Sequence, residues 1–434
     1  MNITHKLSDN RLNILATGLS TILIVLSLFS LFDFFFRNFG LPSLLASGWN
    51  DALMLAGIVF VLALYKHEKR SFYEKTESDL PYIILLVFSF ITVIINGIPP
   101  IVAIDGIRVM GQMILWYLIV FYSLKGIKDK DFFEELIKYM LIAATFVALF
   151  GIVQYIFAFE TPANWIDRDM ENIRTRVFST IGNPNALGGY MIMFIPLAMS
   201  LFLRRGGSLL NRSLYLIISI IMGLTLIFTF SRGAWIGLLV GLGLLLVLKD
   251  KRFIILFVVA LVAMPFILPE TVTGRLFHAF SPEYLARSAE AGRLYYWKEA
   301  FLRMLDNPIF GTGIGSFGDT VAIRHDMPGA VWVDNHYLKL GAELGITGLG
   351  IFLWLVISIF KQAYKNLKRL TDPFAIDLTK GIIAGLFAVI IQNGTASIFE
   401  VLVVGSYFWI LVGVLYAIPL IYQGDLASDK GEEM

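Results

Sequence analysis

The chain has 434 residues, 57% of them hydrophobic and 16% charged, with a formal net charge of +2 and no cysteine. Soluble domains are about half apolar and about a quarter charged, so this composition excludes an ordinary water-soluble fold. The small net charge argues against nucleic acid as a partner, and the missing cysteines exclude disulfides, thiolate metal sites and cysteine nucleophiles.

The apolar residues fall in runs close to the roughly 20 residues that a helix needs to cross the hydrocarbon core. A helix satisfies its own backbone hydrogen bonds there, so the sequence predicts an all-α polytopic membrane protein of about 12 spans. In chain order these lie near 14–36, 49–65, 80–97, 105–124, 136–158, 186–203, 213–230, 233–248, 253–268, 335–360, 375–394 and 398–423. The first run is too long for a signal peptide and lacks a small-residue cleavage site, so it reads as a retained span. The eleventh is interrupted by Asp377 and Lys380.

Lysine and arginine collect in alternate short loops: Lys66, Lys69, Arg70 and Lys75; Lys125, Lys128 and Lys130; Arg204, Arg205 and Arg212; Lys249, Lys251 and Arg252; Lys361, Lys365, Lys368 and Arg369. Cytoplasmic loops hold such an excess. This count of spans puts all of them on one side, with both termini cytoplasmic. Two long connections, about 159–185 and 269–334, then fall on the external face. The expected organisation is a membrane block at 1–268, an external loop at 269–334, and a second block at 335–434 that ends in a short cytoplasmic tail.

Inside the larger loop Leu294, Trp297, Phe301 and Met304 recur at helical spacing, and Asp306-Asn307-Pro308 ends the run. The pattern predicts an amphipathic helix that lies on the membrane surface or caps a cavity. His278 and His325, with no acidic or histidine partner at ligand spacing, read as solvated. Gly313-Ile-Gly-Ser-Phe-Gly318 matches G-x-G-x-x-G but follows no strand, so it predicts a closely packed loop and not a nucleotide fold.

Ionisable residues within spans are costly and tend to face cavities or partners. Asp105, Arg108, Gln112, Gln154, Arg232, Gln392, Asn393 and Glu400 all fall in the external halves of their helices, and the first three share one helical face. Asp105 and Arg108 as a neutralising pair, and Arg232 snorkelling from a helix end, remain alternatives. As a group these residues predict a polar cavity beneath the long loops.

Four segments border that region: Arg176-Val-Phe-Ser-Thr-Ile-Gly-Asn-Pro-Asn185, Phe230-Ser-Arg232-Gly-Ala-Trp235, Gly292-Arg293-Leu-Tyr-Tyr-Trp297, and Asp334-Asn-His336-Tyr-Leu-Lys-Leu-Gly-Ala-Glu343-Leu-Gly345. In order and spacing they resemble the O-antigen ligase and O-antigen polymerase superfamily of bacterial membrane glycosyltransferases. The resemblance implies a GT-C-like, all-helical enzyme of the cytoplasmic membrane that works without metal or other cofactor in surface polysaccharide synthesis. Its implied partners are membrane lipids, an undecaprenyl-pyrophosphate-linked glycan as donor and a glycan or lipid hydroxyl as acceptor.

It also implies that Arg232 and Arg293 hold the pyrophosphate, with Arg176, and Arg108 on the polar face, as further candidates. Arginine suits that task because its planar fork binds phosphate oxygens and stays charged. The attacking hydroxyl needs a base. The ligase branch carries His-Asn-x-Tyr-Leu at the start of the span after the large loop; aligned on Tyr337-Leu338, Asp334 takes the histidine position and His336 falls in the variable slot. Register favours Asp334, His336 stays open, and Asp334 as a mere helix N-cap is the plain alternative. A lipid or polysaccharide transporter is the rival reading, although no repeated halves are visible.

Overall fold

The computed structural model describes residues 2–40, 42–68, 73–162, 165, 175–252, 254–255, 257–259, 270–278 and 280–422. The described residues are helical apart from loops and one isolated bridge between Gly318 and Val331. They form α1 (Asn2–Ser27), α2 (Phe29–Asn38), α3 (Ser43–Glu68), α4 (Asp79–Asn96), α5 (Pro100–Ile107), a π-helical turn (Arg108–Gln112), α6 (Met113–Ile127), α7 (Lys130–Ile156), α8 (Pro184–Phe202), α9 (Leu209–Phe228) and α10 (Arg232–Lys249). After these come α11 (Glu270–His278), α12 (Pro282–Ala291), α13 (Arg293–Asp306), α14 (Asp319–Arg324), α15 (His336–Leu367), α16 (Pro373–Gln392) and α17 (Leu402–Tyr422).

Among the described residues 9 helices are long and apolar enough to cross a membrane, and up to 11 spans result if each of two bent pairs is one crossing. The chain is therefore a multi-pass membrane protein. Most of the predicted ninth span, 253–268, lies outside the described residues, as do Lys69, Arg70 and the 423–434 tail.

Burial separates the centre of the bundle from its lipid-facing rim. The most apolar windows of α8 and α17 are 89% and 94% buried, whereas those of α4, α9 and α10 are 28% buried. Small residues let the central helices approach: a methyl group on Gly385 of α16 would sit 2.1 Å from the Met193 carbonyl of α8, the close backbone approach on which membrane helix packing relies. Helix starts are capped in the expected way, as where Asn183 accepts from the Asn185 and Ala186 amides ahead of Pro184.

The first predicted span is sharply bent, by 77°, between Ser27 and Phe29. Just beyond the bend Asp33, which the sequence reading passed over, is buried and accepts from Arg37 Nε at 2.8 Å and Trp49 Nε1 at 3.3 Å. Asp105 and Arg108 do not pair with each other, because each has a partner on another part of the chain. Asp105 accepts from Arg324 at 3.3 Å and bonds His325 Nε2 at 2.8 Å, while Arg108 pairs with Asp51. His325 is thus a tether from the 270–334 segment to α5, not a solvated side chain; the Gln112 side chain lies outside the described residues.

The start of α15 is a separate piece of helix. Gly345 interrupts it with φ 70° and ψ −179°, a left-handed conformation that a side chain would strain. The loop after α13 fills the break: the Thr312 amide donates to the Ala342 carbonyl at 2.9 Å, Gly313 to Glu343 at 2.8 Å, and Ile346 to Pro308 at 2.8 Å. The amphipathic α13 packs on α15 through Ala300 and Met304, and Trp297 Nε1 donates to the Val333 carbonyl at 2.9 Å. Phe301 and Leu294 point away from that contact and stay exposed, so only part of the predicted apolar face meets protein.

Candidate active site

A cavity of about 710 Å³ opens where α10, the 270–293 segment and the 165–185 connection meet. Among the described residues five arginines line it, Arg176, Arg232, Arg275, Arg287 and Arg293, against two carboxylates, Glu290 and Asp334. Such an excess of fixed cations in a partly enclosed site attracts a multiply charged anion.

Each arginine is held by a different element. Arg176 is buried and donates from Nε to the Thr229 carbonyl at 3.1 Å, from Nη1 to the Trp165 carbonyl at 3.0 Å and from Nη2 to Asn185 Oδ1 at 3.2 Å. Arg275 donates to the Phe230 carbonyl at 2.7 Å. Phe230 holds a left-handed φ of 51°, unusual for a bulky residue and of the kind that strained functional segments retain.

Arg232 opens α10. It donates to the Tyr284 hydroxyl at 2.8 Å and lies 4.7 Å from the centre of that ring. No ion pair joins it to a carboxylate among the described residues, so its charge is available to a ligand. The N-cap Ser231 makes no side-chain cap bond, and the unpaired amides at the start of α10 reinforce the positive potential.

Arg293 opens α13 and donates from Nε and Nη2 to Asp334 Oδ2 at 3.1 and 3.0 Å. The two side chains are 35% and 26% exposed, enough for a ligand in the cavity to reach both.

Asp334 is not the helix cap that one reading of the sequence allowed; Asn335 caps α15 by accepting from the Tyr337 and Leu338 amides. Asp334 instead sits in a left-handed turn with φ 52°. Asp319 Oδ1 holds that turn from behind, accepting from the Val333 amide at 2.8 Å and the Asp334 amide at 3.3 Å, while its other oxygen accepts from Ser397. Burial pushes the Asp319 carboxyl above the usual carboxylate range. Asparagine can accept the same two amide bonds, so Asp319→Asn is expected to keep most activity. Asp319→Ala, which leaves both amides unpaired, is expected to reduce turnover by about tenfold or more in a transfer assay.

His336 is elsewhere. It lines a different, smaller compartment of about 40 Å³ with Lys339, Glu343 and Glu400, and none of its lining residues borders the arginine cavity. Its ring lies 5.4 Å from those of both Phe352 and Phe399, and Nδ1 is buried without a hydrogen-bond partner. Lys339 pairs with Glu400, and Glu400 accepts from the Thr320 amide at 2.9 Å.

The G-x-G-x-x-G loop has a partner too. The amides of Gly315, Phe317 and Gly318 donate to the Glu343 carboxylate at 3.0, 3.2 and 3.1 Å. The loop cradles an anion, as glycine-rich loops do, but the anion is the protein's own side chain.

The structure thus gathers Arg176, Arg232, Arg293 and Asp334 around one cavity, and adds Arg275 and Arg287, which motif matching missed. The arginine density of the 275–293 stretch was the available signal. Arg108 and His336 do not border the cavity. Of the polar span residues only Arg232 does; Gln154 instead accepts from the Phe178 and Ser179 amides at 3.1 and 2.7 Å, and Gln392 donates to the Asn185 carbonyl at 2.7 Å. They secure the connection and the helix that carry Arg176 and Asn185.

Residues 217–353, which supply Arg232, Arg275, Arg287, Arg293 and Asp334, match the family model described as O-antigen ligase. Over that stretch the chain is similar to the O-antigen ligase family. Arg176 and Asn185 precede the matched stretch and complete the cavity from outside it. A search of curated proteins returns no match.

Proposed function

We propose that the protein is a membrane glycosyltransferase of the O-antigen ligase or polymerase type. In this reading it moves a glycan from undecaprenyl pyrophosphate to a hydroxyl of a glycan or lipid acceptor, at the external face of the bacterial cytoplasmic membrane. The single observation that carries the reading is the carboxylate of Asp334 inside an arginine-lined cavity of a multi-pass membrane protein. The 269–334 stretch is the external cap of that cavity, and both termini are cytoplasmic.

The chemistry follows from the charges. The acceptor oxygen attacks the anomeric carbon, the bond from that carbon to the pyrophosphate oxygen breaks, and the leaving group departs with the electron pair. Cations fixed at the leaving group stabilise the charge that develops on it. Arg232, with Arg176 and Arg275 behind it, is placed for this. Arg293 has two possible anionic partners, Asp334 and the incoming phosphate. When the phosphate takes the guanidinium, the Asp334 carboxylate is released to accept the acceptor's proton.

The deciding experiment incubates purified protein with an undecaprenyl-pyrophosphate glycan and candidate acceptors, with and without chelator, and looks for a transferred or lengthened glycan by mass spectrometry. Translocation of the lipid-linked glycan without transfer would favour the transporter instead. His336 supplies a second check. Because its ring is enclosed away from the cavity, His336→Gln is expected to change turnover by no more than a few-fold once the folded fraction is matched. A loss as deep as that of an Asp334 variant would make the histidine the base.

A further inference from the structure

A second cavity, of about 100 Å³, lies on the other side of Asp334. It shares Trp165, Asn185, Asp334 and Ala396 with the arginine cavity, so the two compartments meet at that carboxylate. Their chemistry is opposite. Among the described residues no lysine or arginine lines the smaller one; it presents the carboxyl groups of Asp319, Asp334 and Glu400, the amides of Asn183 and Asn185, and the hydroxyls of Thr320 and Ser397. Trp332 forms a further wall and is 52% exposed, so it stands at the mouth and not in the packed interior.

We infer that the smaller cavity is a carbohydrate subsite, which takes one uncharged sugar ring of the acceptor and presents its hydroxyl to Asp334 from the side away from the arginines. Glu400 is paired with Lys339 and Asp334 with Arg293, so the lining offers a phosphate no cation of its own among the described residues, whereas carboxylates, amides and hydroxyls together both accept from and donate to sugar hydroxyls. An exposed indole offers an apolar face with a polar edge, suited to the C–H face of a sugar ring. At roughly 10–15 Å³ for each water, the space holds several waters that the hydroxyls of a single ring can replace. The rest of the acceptor leaves past Trp332.

The inference rests on the reading of the arginine cavity as the donor site, and two ligands separate their fates. Saturation-transfer NMR on the full-length protein in detergent would use the methyl glycosides of glucose, galactose, mannose, rhamnose and N-acetylglucosamine as sugar probes. Inorganic pyrophosphate and undecaprenyl pyrophosphate would probe the other cavity. At least one glycoside should bind, should stay bound under saturating inorganic pyrophosphate, and should weaken by roughly tenfold or more in Trp332→Ala. Trp332→Phe, which keeps an aromatic face, should restore most of that binding.

Displacement of the glycoside by pyrophosphate, equal affinity in Trp332→Ala, or failure of every glycoside to bind a protein that does bind pyrophosphate overturns the subsite. Loss of pyrophosphate binding together with glycoside binding in Trp332→Ala overturns it as well, because the effect is then not confined to the smaller cavity. Binding of a glycoside with these properties, but of neither pyrophosphate probe, supports the subsite and removes the donor reading alone.

Discussion

Asp334→Asn is expected to lower transfer by roughly 10²- to 10⁴-fold, the range over which a positioned general base contributes, while the protein inserts and folds as before. The amide keeps the size of the side chain but cannot take the acceptor's proton. Folding should survive because Asp319 holds the turn through the Val333 and Asp334 backbone amides, and an asparagine oxygen can still accept from Arg293. Single-turnover transfer, measured beside donor affinity, reads the effect. A rate that falls with unchanged donor affinity assigns the carboxylate to the chemical step; full activity of the purified variant removes it as the base.

Arg232→Ala acts on the other half of the reaction. Loss of a charge-assisted contact to phosphate costs about 1.5–3 kcal/mol, so the dissociation constant for undecaprenyl pyrophosphate should rise by roughly 10- to 150-fold. Arg232→Lys should fall between wild type and alanine, because lysine keeps the charge but not the fork. The affected side chain rests on Tyr284 and bonds its hydroxyl, so helix α10 itself has little to lose. Unchanged affinity in the alanine variant would mean that the pyrophosphate sits elsewhere.

The contrast between these residues and the others shows what local sequence conveys. The long apolar runs announced their helices because the bilayer permits little else, and α17, almost wholly buried, is as plain in the sequence as lipid-facing α4. Arg232, Arg293 and Asp334 were legible because they lie in short segments whose order and spacing resemble those of the O-antigen ligase and polymerase superfamily. His336 is two residues from Asp334, yet the first turn of α15 carries its ring to Phe352 and Phe399. That choice of side is made by tertiary contacts.

Partners distant along the chain were equally hidden. Asp105 meets His325, and Glu343 meets the amides of a glycine-rich loop that the sequence marks as closely packed without naming what it packs on. Periodicity gives the face of a helix and not what lies against it. The bend after Ser27 and the buried Asp33 escaped for the same reason: a single carboxylate in an apolar run gives no sign that Arg37 and Trp49 enclose it.

The interruption at Gly345 has a mechanical result. Membrane helices answer a change in bilayer thickness by tilting or kinking, and α15 is jointed at this position, immediately beyond the turns that follow Asp334. The turns before the joint are fastened to α13 and its following loop, which also carry Arg293. A tilt of the longer segment from Ile346 to Leu367 is therefore expected to be absorbed at the joint. The spacing between the Asp334 carboxylate and the Arg293 guanidinium is set by the cap, so it is expected to stay the same in bilayers of different thickness.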